Sequence, residues 1–173
     1  VDNIKGGFLT DTPQQLKALE FFHVVEATFN FKQYTLTGHS KGGNNGQYIT
    51  IVDGAKVNRC VTFNSQGFSA EFIRKYAPAI NANQDKIIAY ESAWDVVNIL
   101  LNSIAGKRIV VGGESKLPHH NHPPNRLLDA SGEIRKLDMR HPFYTGFQNF
   151  TVSLTLIASK AKQQLDKNKP TKK

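Results

Sequence analysis

The sequence of 173 residues contains very little cysteine, methionine or tryptophan, with one residue of each. A single cysteine cannot form an internal disulfide, so a small fold held together by disulfides is excluded. Because Cys60 lies within an apolar run at residues 57–63, we expect a reduced and buried thiol rather than a nucleophile.

Long hydrophobic runs are also absent. No stretch approaches the roughly 20 apolar residues that a transmembrane helix needs, and the first residues lack the basic and apolar segments of a signal peptide. We therefore expect no membrane span, and the cytoplasm is the favoured compartment. The chain begins with Val1, as expected of a processed product or of a piece of a longer protein.

Acidic residues are scarce, with 14 against 22 lysines and arginines, so the net charge is +8. Six of these cations are lysines within residues 160–173, where a solvated helix end and tail accounts for them. We expect one domain over residues 1–173 with a flexible basic tail from about residue 166, and no nucleic-acid partner. Transient contact with a membrane surface stays open, because a basic surface favours anionic interfaces.

Strand-like and helical segments alternate along the chain. The predicted elements are a helix that follows an N-cap at Thr12 and ends at about Asn30, strands at 33–37, 57–64, 86–91 and 108–111, helices at 45–52 and 69–83, the second of which is disturbed at Pro78, and a final helix at 143–165. This alternation predicts an α/β fold with a mostly parallel sheet flanked by helices on both faces.

Two of the predicted helices have candidate buried faces. The first helix is predicted to bury Leu16, Leu19, Phe22, Val25 and Ala27, and the last is predicted to bury Phe147, Phe150, Leu154, Ile157 and Ala161.

The most informative stretch is Gly38-His39-Ser40-Lys41-Gly42, which joins a predicted strand to a helical pattern. The Gly-x-Ser-x-Gly spacing in this context predicts a nucleophile elbow, a strained turn that lifts the serine hydroxyl above the sheet edge. Side chains at Gly38 and Gly42 are expected to collide with facing backbone. The N–H of Lys41, at the helix N-terminus, is an expected oxyanion donor. Alternatively, the glycines only tighten the turn.

A serine hydroxyl becomes a nucleophile when a base accepts its proton and a third group orients that base. In the chain order serine, acid, histidine, Asp95 is the expected acid because it follows the predicted strand at 86–91. Capping a helix is the alternative role for Asp95, and it can serve both roles. Glu91 and Asp53 are weaker candidates for the acid.

The candidate bases are concentrated in an irregular loop at residues 116–124, which carries His119, His120 and His122. His39 is expected to point away from Ser40 and to be structural. His141 is expected on the surface or in packing, and His23 has no expected partner. A metal at the histidine loop is a weaker alternative, because no acid or cysteine accompanies it at ligand spacing. No cofactor is expected.

Residues 34–43, together with Trp94-Asp95-Val96-Val97-Asn98, resemble the bacterial lipase-like α/β-hydrolases related to the class 3 lipases. The similarity extends from the first helix to about residue 129. It implies that Ser40 is the nucleophile and Asp95 the acid. The family's histidine is followed by a variable residue, a proline and apolar positions, which favours His122 over His120. The resemblance implies ester hydrolysis, with acyl lipids as the substrate class.

The sequence departs from that family at its start. Such hydrolases have several strands before the first helix seen here, and a loop after one of them supplies the second oxyanion donor. Three explanations are open for the missing strands: the chain is a fragment, another chain or copy completes the sheet, or the sheet is trimmed. A non-catalytic binding module is therefore an alternative function, as is a thioesterase or peptidase that uses the same residues.

Overall fold

The computed structural model of the protein describes residues 10–115, 117–140 and 142–167. The helices are α1 (Pro13–Phe29), α2 (Ser40–Val52), α3 (Ala70–Lys75), α4 (Ala77–Asn83) and α5 (Pro142–Lys167), and the strands are β1 (Tyr34–His39), β2 (Val57–Phe63), β3 (Ile87–Ser92) and β4 (Lys107–Val111). Residues 1–9, His141 and the predicted tail beyond residue 167 lie outside the described residues.

The four strands form one sheet in the order β1-β2-β3-β4, and every neighbouring pair is parallel. The predicted α/β fold with helices around a parallel sheet is confirmed. Helix α2 packs against β1 and β2, and α1 packs on α2. Because the strands are parallel, their carboxyl ends share one edge, where Ser40 follows β1 and the loop carrying Asp95 follows β3.

Local hydrogen bonds explain where α1 begins and ends. The Thr12 hydroxyl accepts from the Gln15 N–H at 3.2 Å, and the Gln15 side chain accepts from the Thr12 N–H at 2.8 Å, which together form a capping box. Pro13 occupies the first turn, and Asn30 closes the helix in the left-handed region. These ends agree with the predicted N-cap at Thr12 and the predicted end near Asn30.

The predicted buried face of α1 is wrong in part. Phe22 is buried, but Leu16 is 50% exposed and Ala27 is exposed. The second buried side chain of the helix is polar, because Gln15 donates to Asn44 of α2 at 2.8 Å. The helix is therefore attached by Phe22 and the Gln15 amide, with Ala18 and the predicted Leu19 partly buried against the core, rather than by the full predicted stripe.

The predicted helix at 69–83 is interrupted. Helix α3 begins after Ser69, whose hydroxyl accepts from the Phe72 N–H, and it ends at Lys75 with Tyr76 as its C-cap. Helix α4 then begins with Pro78 in its first turn, where a missing N–H costs no helical hydrogen bond. The break is therefore at Tyr76, two residues before the proline.

The predicted buried stripe of the last helix is wrong. Its four large members are all exposed, with Phe147 at 38%, Leu154 at 47%, Phe150 at 57% and Ile157 at 65%. Helix α5 instead packs on the body through Tyr144, Thr155 and Ser159, which are buried. Periodicity marks the apolar side of a helix correctly, but tertiary packing decides which side is covered.

Strand β1 lies at one end of the sheet, and within the described residues only β2 pairs with it. A groove of about 470 Å³ runs beside it and is lined by apolar side chains that include Phe21, Tyr34 and Leu36. The expectation that a preceding segment, another chain or a further copy completes the sheet here stays a prediction. Among the described helices, none combines the length and apolarity needed to span a bilayer.

Burial makes the Cys60 thiol a reporter of folding. The side chain is 0% exposed between the sheet and α2, and burial raises its pKa to about 11. Compared with a thiol at the ordinary pKa of 9.0, the thiolate fraction near neutral pH is about a hundredfold lower, and burial also blocks access of a reagent.

We expect a disulfide reagent to leave the Cys60 thiol of the native chain unlabelled and to label one thiol per chain in guanidinium chloride. Rapid labelling of the native chain would contradict this burial.

Candidate active site

The turn at Ser40 joins β1 directly to α2, since His39 is the last residue of the strand and Ser40 the first of the helix. Ser40 has φ 54, in the left-handed region that side chains other than glycine rarely occupy. This strained conformation is typical of a serine held at a strand-to-helix turn. The predicted turn is present, and Ser40 stays partly exposed.

Glycines make the turn possible, but only one of the two that were predicted to be crowded is so. A Cβ at Gly38 would lie 2.5 Å from the Gly42 carbonyl carbon, as expected. A Cβ at Gly42 would meet nothing within 4 Å, so its predicted collision is wrong, because this residue faces the open groove beside β1. The crowded position is Gly43, where a Cβ would lie 2.7 Å from that of Ser65.

Two later loops bring partners to Ser40. The His122 Nε2 atom lies 2.9 Å from the Ser40 Oγ, and the His122 Nδ1 atom lies 3.0 Å from the Asp95 Oδ1. Asp95 is 0% exposed, whereas the His122 side chain is 26% exposed. The arrangement therefore runs from a fully buried carboxylate to a hydroxyl that solvent and a ligand can reach.

Asp95 is oriented by its own loop. Its Oδ2 atom accepts from the Asn98 N–H at 2.9 Å, which leaves Oδ1 for the imidazole of His122. The residues after Asp95 form turns rather than a helix, so it caps a turn and not a helix. Asp95 thus contacts a histidine and caps a turn, whereas the alternative role of capping a helix is wrong.

Two histidines of the same loop lie away from this contact. His119 and His120 are exposed, and their rings pack edge-on against each other with centroids 4.2 Å apart. His39 reaches the histidine loop, because its Nε2 atom lies 2.7 Å from the His122 carbonyl oxygen. Its ring also lies against the ring of His122, with centroids 4.5 Å apart, so it contacts the histidine loop rather than the serine.

The weaker acid candidates have other partners. Glu91 is buried and accepts two hydrogen bonds from Arg108, at 3.1 and 2.7 Å, and one from Arg140 at 2.5 Å. Asp53 lies 2.6 Å from the Nε2 atom of His23, the partner that sequence reasoning did not find. Neither carboxylate is placed against the histidine loop.

One group of side chains has the composition of a metal site. His23, Glu26 and Asp53 each offer a ligand atom, and these atoms lie within 4.8 Å of one another. His23 and Asp53 already contact each other, and Glu26 lies 3.8 Å from Lys56. The group is separate from Ser40, and the described histidine-loop residues are not part of it.

Sequence reasoning missed Asn64, which connects the loops of the site. This residue directly follows β2, has φ 46 and is 0% exposed. Its amide nitrogen donates to the carbonyls of Asn121 and His122, both at 2.9 Å. Its oxygen accepts from the Ser92 N–H at 2.8 Å and the Asn98 side chain at 3.0 Å.

These four hydrogen bonds use the full capacity of one amide. They attach the histidine loop to the loop that carries the acid, so the separation of His122 and Asp95 depends on Asn64. An asparagine directly after a buried strand and before Ser65-Gln66-Gly67 was the available sequence signal, because Asn tolerates the left-handed region. Its partners could not be read from the sequence.

A second missed contact lies beside the acid. Tyr144 of α5 is buried, and its ring packs edge-on against Trp94 with centroids 5.8 Å apart. Burial, and then the negative charge of Asp95, raise the pKa of the Tyr144 phenol. The N-terminal end of α5 therefore adjoins the loop that presents the carboxylate.

A parallel α/β sheet with a serine on a strained strand-to-helix turn, met by a histidine and an acid from later loops, defines the class of lipase-like α/β-hydrolases. A family model described as "Phospholipase-like: Tle-like phospholipase domain" matches residues 1–125. Because this match covers more than half of the chain, the protein belongs to that family. Membership indicates a hydrolase that acts on lipids. A search of curated proteins found no match to the chain.

The glycine contacts make a matched pair of substitutions informative. Gly43→Ala forces a Cβ against Ser65 and against the Gly38 carbonyl oxygen at 2.9 Å, so we expect a loss of about 1–3 kcal/mol of unfolding free energy. Gly42→Ala meets open space, and alanine is the better helix former by up to about 1 kcal/mol, so stability should be kept or raised. Chemical denaturation measures both. Equal effects of the two substitutions would contradict the described contacts.

Asn64→Asp tests how the histidine loop is attached. The substitution keeps an oxygen for Ser92 and Asn98 but replaces the donor that faces the carbonyls of Asn121 and His122. Leaving those buried acceptors opposite a carboxylate oxygen should cost about 1–3 kcal/mol of unfolding free energy. Hydrogen exchange should show faster opening of residues 117–127 than of β2. Unchanged exchange in that loop would refute this role for Asn64.

Proposed function

We propose that the protein hydrolyses carboxylic esters of phospholipids through an acyl-enzyme on Ser40. The observation that carries the proposal is the continuous path from Ser40 Oγ to His122 Nε2 at 2.9 Å and from His122 Nδ1 to Asp95 Oδ1 at 3.0 Å. Distances in this range allow a proton to move between the hydroxyl and the imidazole. Family membership supports a lipid as the substrate.

In the first step, the Ser40 oxygen attacks the ester carbonyl carbon while its proton moves to His122 Nε2. The imidazolium that forms is stabilised by the carboxylate of Asp95, which contacts Nδ1 and is fully buried. The tetrahedral intermediate then collapses, and the proton on Nε2 passes to the departing alcohol. An acyl group remains on Ser40.

In the second step, water replaces the alcohol. The oxygen of the water attacks the acyl carbonyl carbon while His122 accepts a proton from the water. That proton passes from His122 to the Ser40 oxygen when the fatty acid leaves. No metal or redox group enters this sequence, since the reactants are the ester, water and the three side chains.

Charge that develops on the carbonyl oxygen needs hydrogen-bond donors. Lys41 is the second residue of α2, in the turn where backbone amides point away from the helix toward its N-terminus. We assign its N–H to the oxyanion, and Gly38 with Gly43 allows strand and helix to pass close enough to hold it there. A preorganised donor of this kind is worth about a hundredfold to a thousandfold in turnover.

Matched substitutions in the histidine loop test the mechanism. We expect Ser40→Ala and His122→Ala each to lower hydrolysis of a soluble p-nitrophenyl ester by at least about a thousandfold. His120→Ala removes an exposed ring from the same loop and should leave the rate unchanged. Circular dichroism and thermal unfolding confirm that each variant is folded.

A fluorophosphonate probe gives an independent readout of the nucleophile. The wild-type chain should be labelled on Ser40, and the label should be absent in Ser40→Ala and slow in His122→Ala. A folded wild-type chain that neither reacts with the probe nor hydrolyses the ester would reject the serine mechanism. It would favour instead a lipid-binding module that keeps the hydrolase geometry.

A further inference from the structure

The exposed apolar side of α5 is a feature that the proposed mechanism does not use. Its five members are Phe143, Phe147, Phe150, Leu154 and Ile157, which we call the apolar stripe. They recur at intervals of three or four residues and are 38–67% exposed, so they lie on one side of the helix and face solvent. At 1.5 Å per residue the stripe is about 21 Å long.

The helix is attached to the rest of the protein by a different and mostly polar side. Ser159 accepts a hydrogen bond from Arg74 at 3.0 Å, and Thr151 accepts one from the Leu101 N–H at 3.3 Å. A helix on a protein core normally turns its apolar side inward. Here the apolar side faces solvent instead. Contiguous exposed apolar patches of this kind mark interaction surfaces.

The charges along the helix favour an anionic partner. Residues 142–159 carry no charged side chain, whereas residues 160–173 contain six lysines and one aspartate. This segment therefore contributes five of the eight net positive charges of the chain. Lys160 and Lys167 are exposed on the last turns of the helix, beyond the end of the stripe at Ile157.

The stripe also begins beside the candidate active site. The Phe143 ring packs edge-on against Tyr144 with centroids 5.6 Å apart, and Tyr144 packs against Trp94, the residue before Asp95. A surface held against the stripe would therefore lie next to the loop that carries the acid. The family match ends at residue 125, before α5, so family membership does not account for this helix.

We propose that the apolar stripe, with Lys160 and Lys167 beyond its end, docks the protein on an anionic phospholipid bilayer. Phenylalanine, leucine and isoleucine side chains enter the boundary between headgroups and acyl chains, and the lysines lie at the lipid phosphates. The choice of a phospholipid surface rests on the proposed function, which needs such a substrate, but docking itself does not use Ser40. A second copy of the chain is the competing occupant.

Vesicle flotation with the full chain tests the proposal, with Ser40→Ala used so that lipid is not consumed. We expect binding to vesicles of equal parts phosphatidylcholine and phosphatidylglycerol, weaker binding to phosphatidylcholine alone, and loss of the difference at high salt. The double variant Phe150→Gln/Ile157→Gln should bind the anionic vesicles about tenfold more weakly. Its thermal unfolding should match that of the parent, because both side chains are exposed.

Leu156→Gln is the matched control. Leu156 is 44% exposed on the same helix but lies outside the stripe, so its replacement should leave vesicle binding unchanged. Equal losses in the control and the double variant, or no binding by the parent, would overturn the proposal. A lipid-free dimer in light scattering that the double variant converts to monomer would also overturn it, in favour of a second copy.

Failure of docking and failure of the serine mechanism are distinguishable. Hydrolysis of a soluble ester by the wild-type chain without vesicle binding would reject docking alone. Vesicle binding by a chain that neither hydrolyses the soluble ester nor reacts with a fluorophosphonate would support docking and reject the serine mechanism.

Discussion

The site depends on a single buried amide, the side chain of Asn64. Its four hydrogen bonds join the histidine loop, the end of β3 and the loop that carries the acid. Because these bonds are buried, removing one leaves a polar group without a partner, which costs free energy. The loops therefore cannot shift independently of one another. The distance from His122 to Asp95 is thus set by a residue that touches neither imidazole nor carboxylate.

A second constraint is the close passage of β1 and α2 at Ser40. The turn holds the serine in the left-handed region, and only Gly38 and Gly43 allow the backbones to approach so closely. The strain is confined to the turn. It directs the Ser40 hydroxyl to the end of the sheet that the loops carrying His122 and Asp95 also reach. Conformational strain and loop attachment act together there, as is common at functional sites.

The two sides of α5 show how far pattern reasoning extends. The apolar periodicity of the helix is real, but the inference that it is buried was wrong, because the protein covers the side with Tyr144 and Thr155 instead. The same error affected α1, where Gln15 is buried and Leu16 is not. A pattern reports which side of a helix prefers an apolar neighbour, and it carries no information on whether that neighbour belongs to the same chain.

What the sequence determined by itself was local: the alternation of strands and helices, the cap at Thr12, and the turn at Ser40. Each of these depends on residues within a few positions of one another, so propensity, capping and glycine spacing are sufficient to predict them. The tertiary structure decided which histidine meets Ser40, which carboxylate meets that histidine, and that Gly43 rather than Gly42 is crowded. Those outcomes depend on contacts between residues far apart in the chain, which exist only once the sheet has brought its strand ends together.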